Sequence, residues 1–219
     1  MLTLRHQRGV SIIEIAIGLA IVGIGIAWAI PSYSVWMQNL QIRTMTESIV
    51  AGLQLARSEA ISRNGRAEFI LTNQDPSAAI AQTALDSLTD ETGTSWMVRA
   101  FLPPGSATTY GYVTGRTGAE GSANATVLSG DAGFAGGLAA ITFDGFGRLS
   151  RDGNGVLMNA DGSAPIAKLC VKSNKLDSAH GARNLEINIG ASGLVKMCDP
   201  VVTDATDPRR CLTPAPRCS

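Results

Sequence analysis

Between Val10 and Ile30 polar positions all but vanish, and the only charged residue is Glu14. A helix of that length rises about 30 Å, the thickness of a bilayer core, so the pattern predicts one membrane-spanning helix. Beyond Pro31, "SYSVWMQNLQIRTMTESIVAGLQLARSEAISRNG" changes to helical alternation. Ile42, Met45, Ile49, Leu53, Ala56 and Ala60 fall three or four apart on one face, and Arg43, Glu47, Arg57 and Arg63 lie largely off it. Such a stripe predicts a scaffold helix packed on a globular head. Asn64-Gly65 predicts the stop, glycine taking the left-handed conformation. A single helix from about Ser11 to Arg63 runs about 80 Å, half membrane and half scaffold.

The remainder reads as strands with glycine-rich connections: Ala67 to Leu71, Ser95 to Leu102, Ala139 to Phe143, Ala167 to Lys172, Leu185 to Ile189 and Leu194 to Met197. In the clearest, Leu185, Ile187 and Ile189 alternate with Glu186 and Asn188, as a half-buried antiparallel strand should. "GASG" between the last two suits a hairpin turn. Gly105 to Gly137, rich in Gly, Ala, Ser and Thr, reads as a long variable loop with a short strand near Tyr110 to Val113. The predicted fold class is α+β, a long N-terminal helix packed against an antiparallel β head. The predicted divisions are 1–9 leader, 10–31 membrane and filament-core helix, 32–65 amphipathic scaffold helix, 66–200 head and 201–219 tail.

Composition narrows the options. The 219 residues carry 18 Lys and Arg against 18 Asp and Glu, so bulk charge draws the chain neither to nucleic acid nor to anionic lipid. Arg5, His6 and Arg8 precede the apolar run with no acid among them, which keeps the start cytoplasmic and sends the rest outward. The four cysteines, Cys170, Cys198, Cys211 and Cys218, form no Cys-x-x-Cys pair, and the two histidines are wrongly spaced for zinc. No metal or cofactor is expected. An even cysteine count behind an apolar N-terminus points to two disulfides in an oxidising compartment. Four cysteines allow three pairings; the expectation is Cys170 with Cys198 to staple the late strands, and Cys211 with Cys218 to close a short loop containing Pro214 and Pro216.

Glu14 is the anomaly. A carboxylate in hydrocarbon costs about 2.5 to 3.5 kcal/mol by insertion scales, so a plain anchor does not explain it. A cleaved secretory signal fits poorly, because the run is too long and no Ala-x-Ala site follows promptly. Arg8-Gly9-Val10-Ser11-Ile12-Ile13-Glu14 resembles the processing site of type IV pilins and type II secretion pseudopilins. The resemblance implies that prepilin peptidase cuts between Gly9 and Val10 and methylates the new amine. It also implies that this amine meets the Glu14 carboxylate of a neighbouring subunit, each costly charge compensating the other and favouring one register. Gly18, Gly23, Gly25 and Pro31 weaken an isolated helix. In a membrane they offer small contact faces, and the resemblance implies partial unwinding between Gly23 and Pro31 in a filament.

"LQLARSEAISRNG", "ITFDGFGRLS", "LCVKS" and "INIGASGLVKMC" resemble the minor-pilin group that contains FimT and the secretion pseudopilin GspH. The resemblance implies an antiparallel head against the helix, agrees with a Cys170–Cys198 bond, and implies as partners the peptidase, other pilins or pseudopilins, and the inner membrane before assembly. The C-terminal domain is expected in the periplasm and then in a pilus or pseudopilus. FimT-like proteins are implied to bind DNA through a Gly-Arg-x-Arg element at the late hairpin. Here the matching residues are Gly193-Leu194-Val195-Lys196, with one arginine absent and one replaced. Lys196, Arg209, Arg210 and Arg217 are therefore the candidate phosphate contacts, diluted by Asp199, Asp204 and Asp207.

Catalysis is not expected. His180 in "SAHGAR" lacks a nucleophile placed to use it, and "GDAGFAGG" lacks the lysine of a phosphate loop and the preceding strand of a dinucleotide fold. Asp152-Gly153-Asn154-Gly155 and Asp161-Gly162 miss the ligand spacing of a calcium loop and read as turns. Phe143 to Arg148 likewise reads as a tight turn, with Asp-Gly supplying positive φ. The expected function is that of a minor pilin or pseudopilin. A DNA-binding minor pilin for transformation and a type II secretion pseudopilin are the alternatives.

Overall fold

The structure, a computed structural model, describes residues 10–90, 93–120, 125–129, 139–176, 180–211 and 218, with the backbone alone at 28–31 and 126–129. The expected leader 1–9, most of "GDAGFAGG" and its flanks, Pro214, Pro216 and Arg217 lie outside these residues. The chain divides into two units, Met1–Met37 and Gln38–Ser219, and the helix α1 (Ile12–Ser62) crosses their boundary.

In the first unit the helix is apolar all round, and every large apolar side chain from Val10 to Ile26 is more than half exposed. Among the described residues no single helix is long and apolar enough to cross a membrane. Ile12–Ala27 taken with Ser32–Ser62 passes that test as a bent pair, by length and composition.

In the second unit the predicted stripe is buried throughout: Ile42, Ile49, Leu53, Ala56 and Ala60 have no exposed surface, and Met45 has 2%. The stripe faces two antiparallel sheets, which among the described residues hold eight strands. The first sheet has β1 (Ala67–Thr72), β2 (Ser95–Phe101), β3 (Tyr110–Arg116) and β5 (Ala140–Phe143) in the order β3-β2-β1-β5. The second has β4 (Ala125–Ser129), β6 (Lys168–Ser173), β7 (Leu185–Ile189) and β8 (Val195–Cys198) in the order β4-β6-β7-β8. Phe69, Leu71, Trp96, Val98, Ile141 and Phe143 of the first sheet meet Leu169, Val171, Ile187 and Ile189 of the second in one core with the helix stripe.

β1 is buried on both faces, because the segment after it folds back over the outer side of its sheet. There a 3₁₀ turn (Ile80–Gln82) and a short helix α2 (Leu85–Leu88) place Ile80, Leu85 and Leu88 against Ile70, Met97 and Ala140. A charged pair lies under the same cover. Glu68 faces Arg99 across β1 and β2, with Arg99 Nε 2.8 Å from Glu68 Oε2 and both side chains 1% exposed. Arg99 Nη1 also donates to the carbonyls of Ala81 (2.9 Å) and Thr83 (2.8 Å), and the guanidinium lies 3.6 Å from the Tyr110 ring centre. Each buried charge thus has the partners it needs. Burial still raises the Glu68 pKa above the usual carboxylate value, against the pull of Arg99.

Three local expectations need correction. The helix ends with Asn64, not Gly65, at positive φ (44°), while Gly65 N donates back to Ala60 O at 3.0 Å. Asparagine is the non-glycine residue most tolerant of that region. The stretch predicted as a long loop with a short strand near Tyr110 to Val113 holds a longer strand there, β3, and a further strand, β4. Gly115 and Gly118 mark close approach, since a Cβ would lie 2.2 Å from Pro76 Cβ at the first and 2.5 Å from Thr94 Cβ at the second. Finally, the positive φ in the Asp144 turn belongs to Gly147 (73°) and not to Gly145.

Candidate functional site

Val10 begins the described chain and Glu14 lies in the first turn of α1, its amide donating to Ser11 O at 3.1 Å. A carboxylate there is favoured by the unpaired N–H groups of a helix start, an effect of about 0.3 to 1 kcal/mol. That is smaller than the cost of holding the charge in hydrocarbon, so it explains Glu14 only in part. Gly18, Gly23 and Gly25 have nothing within 4 Å of where a Cβ would stand. Within one chain they make room for no neighbour. The first unit therefore presents an uncovered apolar helix, small residues that open onto free space, and one acid near its start.

The second unit brings together islands that sequence reasoning left separate. Asp144 Oδ1 accepts from the amides of Phe146 (2.9 Å) and Arg148 (3.0 Å), which folds Asp144–Arg148 into a turn. Arg57 Nε donates to Gly147 O at 2.8 Å, and Leu149 N donates to Ala191 O at 3.2 Å in the β7–β8 hairpin. Gly193, at φ 78°, is pressed so close that a Cβ there would lie 2.0 Å from Gly147 O. The helix and both sheets are fastened at this point. Arg57 was assigned only to the polar side of the helix; the sequence signal that could have found its role is the pair of glycine turns, "FDGFGR" and "GASG", each following a strand.

The tail is pinned differently from expectation. The disulfides join Cys170 to Cys218 and Cys198 to Cys211, not Cys170 to Cys198 and Cys211 to Cys218. The register gives the reason: Cys170 pairs with Glu186 on β7, and Glu186 pairs with Cys198 on β8. Two strand spacings of about 4.8 Å separate the cysteines, beyond the Cα separation of about 4.4 to 6.8 Å that a disulfide spans. Each strand cysteine bonds instead to the tail. Glu186 is buried between the two bonds, its Oε1 accepting from Asn188 Nδ2 at 2.9 Å. Glu186, Cys198 and Cys211 bring metal-ligand atom types within 4.8 Å of one another. The two sulfurs share a disulfide, so no thiolate is present to bind an ion.

The candidate phosphate contacts do not form one cluster of free cations. Arg209 is held by Asp207, with Nη2 2.7 Å from Oδ2 and Nε 3.1 Å from Oδ1. These hydrogen bonds lower the Asp207 pKa to about 2 and raise that of Arg209. Asp204 is lowered by its bonds to Thr206. Lys196 lies exposed on β8, and Arg210 bridges to Asp199 through its backbone. The presumed turns are turns: Asp152 Oδ1 accepts from the amides of Asn154 (2.9 Å) and Val156 (2.7 Å), and Asp161 Oδ1 from that of Ser163 (3.0 Å).

The sequence model of the family described as "Type II transport protein GspH" matches residues 45–193, and that of the "Prokaryotic N-terminal methylation motif" matches residues 4–30. Among solved structures, the chain is similar to the type IV minor pilin FimU of Pseudomonas aeruginosa (strain PAO1). In space group P21 the identity is 18%, over 71% of this chain and 87% of that one, with a TM-score of 0.39. In space group P65 the identity is again 18%, over 71% and 90%, with a TM-score of 0.38. No curated protein matches the chain.

Proposed function

From a chain that belongs to the family of the type II transport protein GspH and carries the N-terminal methylation motif, we propose a minor pilin or pseudopilin cut after Gly9 and methylated on Val10. Before assembly the apolar helix holds it in the inner membrane, with the head in the periplasm. On assembly it passes into a type IV pilus or a related filament, where Glu14 meets the Val10 amine of a neighbour. One observation carries this reading: the stretch that the methylation motif matches includes a helix half whose large apolar side chains, from Val10 to Ile26, are left uncovered by the chain itself. About 1.5 to 3 kcal/mol per large apolar side chain is then available to whatever covers it, first lipid and then other helices. The family is structural, and the reading assigns the chain no reaction of its own.

The test is processing. A Gly9→Arg chain expressed with prepilin peptidase should keep its leader; mature-sized protein from that variant would sink the reading. The finer alternatives, a type II secretion pseudopilin and a DNA-binding minor pilin acting through Lys196, Arg209, Arg210 and Arg217, separate in a deletion strain scored together for twitching, secretion and transformation.

A further inference from the structure

The chain stays uncharged well beyond its apolar run. From Ile15 to Ile42 it carries no charged residue. As helix that stretch rises about 42 Å, which matches a whole bilayer with its headgroup layers rather than the hydrocarbon core of about 30 Å. The character of the excess changes with its place. From Ile15 to Ile30 every residue is apolar or glycine, whereas after Pro31 come Ser32, Tyr33, Ser34 and Trp36, polar or amphipathic and still uncharged.

Tyr33 and Trp36 are three apart and share a face of α1, with ring centres 5.8 Å apart and each residue 58% exposed. Just after them the head grips the helix. Ser173 Oγ donates to Gln38 Oε1 at 2.6 Å, and Asn39 accepts from the Arg183 amide at 2.8 Å and donates to Gly181 O at 3.0 Å. The aromatic pair thus stands on the helix between an apolar run of bilayer length and the residues that the head holds.

Position and chemistry select lipid as what covers the pair. With Val10 at the cytoplasmic edge of the hydrocarbon, Tyr33 and Trp36 lie about 35 and 39 Å along the helix. At the tilt of about 20° usual for such helices, they come about 2 to 7 Å past the far edge, within the headgroup layer. An indole or a phenol there keeps its ring against acyl chains while Trp36 Nε1 and the Tyr33 hydroxyl reach ester carbonyls, phosphate and water. The apolar helix of another subunit would offer the rings a surface and the two polar atoms nothing.

We infer that Tyr33 and Trp36 are a membrane-boundary anchor, seated in the headgroup layer of the periplasmic leaflet, which sets the depth at which the chain waits before assembly. The inference rests on the membrane anchoring proposed above and names the lipid layer at which the span ends.

The experiment places the full processed chain, at high dilution, in phosphatidylethanolamine and phosphatidylglycerol vesicles. These are doped with phosphatidylcholine brominated either near the ester carbonyls or near the acyl ends, and tryptophan fluorescence is read. Trp96 gives a constant background, since it is 7% exposed in the head core and donates to Ser48 Oγ at 2.9 Å. In Trp28→Phe the remaining probe is Trp36, and the shallow bromines should quench it about twofold or more as strongly as the deep ones. Trp36→Tyr keeps an interfacial ring and leaves Trp28 as the probe. Against that chain, Tyr33→Leu with Trp36→Leu lengthens the apolar run and should shift Trp28 quenching toward the deep bromines. Trp36 reached by aqueous iodide and by neither lipid, Trp36 shielded from all three as under another protein, or a Trp28 depth that does not move overturns the inference. Flotation separates the two readings: a chain that does not float with the vesicles overturns the anchoring as well, and one that floats with Trp36 unquenched overturns this inference alone.

Discussion

Within one helix, the large apolar side chains of two stretches meet opposite fates. Ile42, Ile49 and Leu53 have no exposed surface, whereas Ile12 is 87% and Leu19 68% exposed. The difference lies in pattern. The later stretch spaces its apolar residues at three and four and fills the gaps with Arg43, Glu47 and Glu59, so one face suffices and the head's own sheets cover it. The earlier stretch is apolar all round, and no single face of a sheet could cover it. A helix of that kind is finished by its surroundings. The same contrast appears in the glycines: Gly193 is fitted against Gly147 O, and Gly18, Gly23 and Gly25 face open space.

Paired substitutions test this contrast. Leu53→Ala should lower the head's unfolding free energy by about 2 to 5 kcal/mol in denaturant titration. Leu19→Ala should leave that transition in place and instead reduce incorporation into filaments; equal losses of head stability from both would erase the distinction. Next in size, Gly193→Ala should cost about 1 to 3 kcal/mol, from positive φ and the clash with Gly147 O. Gly18→Ala should increase helix content, by about 1 kcal/mol of propensity, while impairing assembly. If Gly18→Ala assembles normally, its small size serves no contact.

The scaffold half was legible in sequence because its signal is local: a stripe at helical spacing and alternation in the late strands. What escaped notice was set by partners distant in sequence. The pairing of Cys170 with Cys218 follows from β7 lying between β6 and β8, a strand order that spacing does not encode. β3 was underestimated because Gly111 and Gly115 read as looseness when they admit neighbours. The Glu68–Arg99 pair sat in two correctly read strands, and its charges signalled a partner only once the register was known. Gly9, Val10 and Glu14 lie close together in the stretch that the N-terminal methylation motif matches, so the processing and assembly roles proposed for them rest on a local signal; the fastening of Arg57, Gly147 and Gly193 joins residues distant in sequence and gave none.

The smallest expected effect concerns the tail, which belongs to the self-covered region. Asp207 has its pKa lowered to about 2 by Arg209, so its contribution is present above the ordinary aspartate value near 3.8 and is lost as pH falls from there to about 2. Asp207→Asn should remove that acid dependence from proteolytic protection of the tail, with protection at neutral pH lowered to the acid level. Protection that still falls between pH 4 and 2 in the variant would place the titrating group elsewhere.

The central claim is that the uncovered half of the helix becomes an assembly surface only after the cut that frees Val10. The mass of the chain recovered from purified filaments tests it most directly. The account predicts a chain beginning at Val10 and carrying one additional methyl group. A filament-borne chain that retains its leader, or that begins at another residue, would contradict it.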